Sequence, residues 1–68
     1  MDLTKIRIAE HDCVEFKEDI GKWPAGTRGT ALIDHGVSKL VEISDDEGQE
    51  LDLIEIPEEK LKRIARYR

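Results

Sequence analysis

The sequence predicts an all-β domain, a small barrel of four to five antiparallel strands with room for a short helical turn near the C-terminus. Three observations carry this. Apolar residues alternate with polar ones in short runs, as in Val14-Glu15-Phe16-Lys17, which is the period of a half-buried strand. The runs are separated by turn formers such as Asp34-His35-Gly36 and Asp45-Asp46-Glu47-Gly48. With 68 residues in all, one compact unit is the only reasonable count.

The first strand centres on Val14 and Phe16, and the segment from Asp19 to Gly26, with Gly21, Pro24 and Gly26, reads as a loop. The second strand runs from Thr27 to Ile33 and places Ala31 and Ile33 on one face. The third, Val37 to Ser44, aligns Val37, Val41 and Ile43. In the fourth, Gln49 to Ile56, Leu51 and Leu53 share one face while Ile54 and Ile56 share the other, a change of phase that predicts a bulge or bend near Ile54. The expected core is therefore Val14, Phe16, Ala31, Ile33, Val41, Ile43, Leu51 and Leu53. After Pro57-Glu58-Glu59 the chain reads either as a helix start, with proline early and acids at the positive end of the dipole, or as a tight turn into a last strand near 62–65.

Residues 1–10 form an N-terminal extension or an extra strand, 11–65 the barrel, and 66–68 a basic tail. A chain this short has a thin core, and its single cysteine, Cys13, offers no internal disulfide. That suits a reducing, cytoplasmic setting. The N-terminus lacks the apolar stretch of a signal peptide, and no run is long enough to span a membrane. Self-association would supplement the thin core. An edge strand donated from residues 4–10, where Ile6 and Ile8 alternate, would build a homodimer.

Charge is abundant and unevenly placed. Of 11 cations, five (Lys60, Lys62, Arg63, Arg66 and Arg68) fall in the last nine residues, which hold no acid. All 16 acids precede them, so residues 1–59 carry a net charge of −10. An acidic body repels phosphate.

The stretch Trp23-Pro24-Ala25-Gly26-Thr27-Arg28-Gly29-Thr30-Ala31-Leu32 follows a strand beginning Asp12-Cys13-Val14. It precedes Leu40-Val41-Glu42-Ile43 and Leu53-Ile54-Glu55-Ile56-Pro57-Glu58-Glu59. This pattern resembles a family of small standalone bacterial proteins catalogued as a domain of unknown function. More distantly it resembles SH3-like barrels that open a strand with Gly-x-x-Gly-Thr. The resemblance covers residues 12–62 and implies the SH3-like fold. It supplies no activity, substrate or catalytic residue. Some relatives stand beside toxin-like genes, and for such a protein the resemblance implies an antitoxin or immunity role.

The chemistry-bearing residues read as follows. His11, Cys13 and His35 lack the paired spacing of a zinc site, and the acidic turn at 45–50 lacks the length and flanking helices of a calcium loop. No cofactor is expected. Ser38, Ser44 and Cys13 have no nucleophile context, and Gly26 and Gly29 precede a strand, not the helix that a phosphate loop requires. The chain is therefore expected to be no enzyme but a non-catalytic protein-binding module. Its contact residues are Trp23, a residue type enriched at binding hot spots, and Arg28 at the start of the second strand. Trp23 has a second reading, as an apolar cap on one end of the barrel. The alternative function is nucleic-acid binding through Arg28, Lys60, Lys62, Arg63, Arg66 and Arg68.

Overall fold

A computed structural model describes residues 8–65. Five strands follow one another: β1 (Cys13–Phe16), β2 (Arg28–Asp34), β3 (Ser38–Ser44), β4 (Glu50–Pro57) and β5 (Leu61–Ala65). A 3₁₀ turn at Glu58–Lys60 joins β4 to β5. All pairings are antiparallel, in the order β4-β3-β2-β1-β5. The last strand thus returns to pair with the first, giving a small barrel-like all-β fold. At the C-terminus both sequence readings are partly realised. Pro57 and the two acids make a single turn, too short to develop into an α-helix, and a strand follows it.

The core comprises Ile8, Val14, Phe16, Ala31, Val41, Ile43, Ile56 and Leu61. Five of the eight expected core residues are there. Ile33, Leu51 and Leu53 are not, being 42%, 51% and 42% exposed. The reason is pairing. Val41 stands opposite Ile54, Lys39 opposite Ile56 and Ile43 opposite Asp52, so the inner row of β4 is Asp52-Ile54-Ile56. Leu51 and Leu53 belong to the outer row. Pairing is regular through Ile54, and the bulge in β4 falls three residues earlier, at Leu51, where Ile43 faces Asp52 and Ser44 faces Glu50; the other shifts lie at Cys13/Val14 and Ala31/Ile33. The shift in β2 inserts Leu32 and turns Ile33 outward, opposite Leu40. Val37, aligned with the inner row of β3 by spacing, precedes the strand and is 86% exposed.

Ile8 is inserted by a tight turn. The Asp12 amide donates to the Ala9 carbonyl and the Asp12 carboxylate accepts the Ala9 N–H at 2.8 Å. The amide of Ala31 in turn donates to the Asp12 carbonyl at 2.9 Å. Ile6, the other residue of the expected dimer strand, lies outside the described residues.

Two glycines of the 26–29 stretch do different work. Gly26 has φ +90°, a left-handed conformation that disfavours a side chain. Gly29 lies against β3, where an added Cβ would come within 2.6 Å of the Glu42 carbonyl oxygen and 2.8 Å of Val41 Cγ1. Close backbone approach fixes that position as glycine.

Candidate functional site

The long loop between β1 and β2 brings Trp23 against the core beside Ile20 and Ile54. Reciprocal backbone hydrogen bonds between Ile20 and Trp23, 2.8 and 2.9 Å, stiffen the loop there. The indole Nε1–H donates to Asp52 Oδ2 at 2.8 Å. That bond, together with the Leu53 amide on Oδ1, holds the Asp52 carboxyl below the usual aspartate range. The Lys22 ammonium sits 5.3 Å from the indole centroid. This geometry supports the reading of Trp23 as a cap on one end of the barrel.

At the other end of the inner row, Lys39 is fully buried. Its ammonium donates to the Gly36 carbonyl at 2.6 Å and pairs with Asp34 at 2.9 Å and Glu58 at 3.4 Å. Glu58 also accepts the Ile8 N–H at 2.9 Å. One cation thus ties together the β2–β3 turn, the 3₁₀ turn and the N-terminal segment. The alternation of β3 puts Lys39 in the row of Val41 and Ile43, but a lysine is ordinarily read as exposed.

Ser38, His35 and Glu55 come together on the surface beside this turn. Ser38 Oγ donates to Glu55 Oε2, and His35 Nδ1 lies 2.8 Å from the same oxygen. A carboxylate only accepts, so Nδ1 carries the hydrogen. The two hydrogen bonds, that of Ser38 foremost, hold the Glu55 carboxyl below the usual glutamate range. In a working serine nucleophile the imidazole stands between acid and hydroxyl. Here the acid is the hub, accepting from both the hydroxyl and the imidazole. The cluster cross-links a turn to β4.

The cationic positions do not form an unopposed stripe among the described residues. Arg28 is exposed and lies 3.9 Å from Glu15; Lys60 is 3.5 Å from Glu18 and Arg63 4.0 Å from Asp12. Lys62 stands opposite Glu15 in the β1–β5 ladder. Arg66 and Arg68 lie outside the described residues. Cys13 is exposed rather than packed inside, because Val14 and Phe16 take the inner row of β1. It borders an open depression with Arg28, Gly29, Thr30, Ser44 and Ile64. Among the described residues no His, Cys, Asp and Glu side chains group as metal ligands, and no helix is long and apolar enough to cross a membrane.

What the pairing assembles instead is an apolar outer face. One rung of the sheet aligns Ile33, Leu40 and Glu55; another aligns Thr30, Glu42 and Leu53. Leu40 and Leu53 are therefore diagonal neighbours, and Leu51 extends the row along β4. Sequence reasoning misplaced three of these four apolar residues by assigning them to the core.

No family model matches the chain, and neither does a curated protein or a solved structure.

Proposed function

We propose that this chain is a non-catalytic protein-binding module that docks its partner on the outer face of β2, β3 and β4. One observation carries the reading: Ile33, Leu51 and Leu53 are each more than two-fifths exposed and border half-buried Leu40 on one continuous sheet face. Single exposed apolar residues are ordinary, but a contiguous group framed by polar residues marks an interaction surface. The barrel supplies a stiff platform, so docking orders little backbone. An antitoxin or immunity protein, whose partner is a toxin, is one form such a module takes. The matching of Arg28, Lys60 and Arg63 by acids favours this reading over nucleic-acid binding.

The test is a tagged double variant, Leu51→Ser with Leu53→Ser, compared with wild type in recovery of partners from the source cells. Both positions are exposed, so folding stability should change by no more than about 0.5 kcal/mol per site. The proteins that wild type recovers should be lost. Unchanged recovery by the double variant, or no specific protein recovered by wild type, would overturn the proposal.

A further inference from the structure

Glu42 sits in the middle of the outer face, between Thr30 on β2 and Leu53 on β4. It is half-buried, and among the described residues its carboxylate has no ion pair and no side-chain hydrogen bond. Its diagonal neighbour Glu55 differs, being held by Ser38 and His35. The two rungs that build the face carry these two acids and no cation; Arg28, two residues before Thr30 on the same face of β2, lies 3.9 Å from Glu15. A surface docking there would strip water from Glu42, and a desolvated carboxylate without a counter-charge is costly.

We infer that the occupant of this face is a basic amphipathic segment of another protein, with apolar side chains on Ile33, Leu40 and Leu53 and a lysine or arginine on Glu42. The inference rests on the docking reading above and names the partner's chemistry. Two further observations agree with it. Residues 1–59 carry a net charge of −10, which draws cationic partners and repels nucleic acid and anionic lipid. A two-fold pairing with a second copy through the same face would bring two Glu42 side chains into one dry interface, since such contacts are self-complementary.

The experiment is a titration of the isotopically labelled full chain, followed by NMR, with two synthetic peptides. One has leucine and lysine at helical spacing; the other has glutamate in place of lysine. The lysine peptide should shift the signals of Ile33, Leu40, Glu42 and Leu53, and the glutamate peptide should not. Glu42→Gln should weaken the lysine peptide about tenfold. Asp46→Asn removes the same charge in the exposed β3–β4 turn and should weaken it less than about threefold. Equal effects of the two substitutions, shifts centred elsewhere, or equal binding of the glutamate peptide would overturn the inference. So would a dimer that Leu53→Ser dissolves, detected by light scattering against the 7.8 kDa chain. If the inference fails while the Leu51/Leu53 double variant still loses its partners, the docking face stands and only the partner's charge has been misassigned.

Discussion

At one end of the paired inner rows of β3 and β4, Lys39 faces Ile56; at the other, Ile43 faces Asp52 beneath the Trp23 indole. Both ends seal a core too short to close itself, and they do so with opposite chemistry. Trp23 contributes apolar bulk and one neutral donor to a carboxylate that stays partly in water. Lys39 is a fully buried cation whose charge is met by two carboxylates and a carbonyl. The contrast shows what each seal costs to break. Water can replace the indole at Asp52, whereas loss of the Lys39 ammonium leaves a cavity and takes one counter-charge from Asp34 and Glu58.

Lys39→Ala should therefore have the largest effect, about 3 kcal/mol of destabilisation in urea unfolding. That is the lower end for a broken buried pair, because Asp34 and Glu58 remain partly exposed. Lys39→Met, which keeps the volume of the stem, should fall between wild type and alanine. A loss below about 1 kcal/mol for Lys39→Ala would show that the ion node contributes little.

Trp23→Ala should cost about 2 kcal/mol, less than truncation of a fully buried aromatic. Trp23→Phe, which keeps most of the packing but loses the bond to Asp52, should cost about 1 kcal/mol. If Trp23→Ala leaves thermal melting unchanged while partner recovery falls, Trp23 is a contact residue and the comparison of the two ends fails.

The smallest effect concerns pH. Asp52 and Glu55 both have depressed pKa values in the folded chain, from ordinary values of 3.8 and 4.5. A depressed carboxyl stabilises the fold at pH above its unfolded value, and that contribution disappears as the pH falls through the folded value. Melting temperature should thus decline from about pH 5 downward. Trp23→Phe should flatten the Asp52 part of the decline and Ser38→Ala the Glu55 part. Identical acid profiles in wild type and both variants would contradict these assignments.

Strands, turns and five core residues were legible because local alternation and turn chemistry are short-range signals. The face of β4 was not. Leu51 and Leu53 fill one row and Ile54 and Ile56 the other, so alternation alone leaves the phase undetermined. The pairing of Ile54 with Val41 decides it. Lys39 was hidden differently: its row was visible from Val41 and Ile43, but its partners Asp34, at the end of β2, and Glu58, in the 3₁₀ turn, are distant in sequence and meet only in the folded sheet. The outer face was invisible as a site for the same reason as the core error, since misassigning Leu51 and Leu53 inward removed the patch they form.

With partners docked on the outer face, as proposed, and the Trp23 end serving the fold, the two faces of the same strands respond differently to a partner. Methyl NMR of the labelled chain with the partner recovered by wild type tests this difference most directly, because isoleucine and leucine methyls report both faces of the same strands. Methyl signals of Ile33, Leu40, Leu51 and Leu53 should shift or broaden, while those of Ile43 and Ile56 and the Trp23 indole N–H should hold their positions. A footprint centred on Trp23 and Arg28, with the four outer methyls unmoved, would contradict this reading.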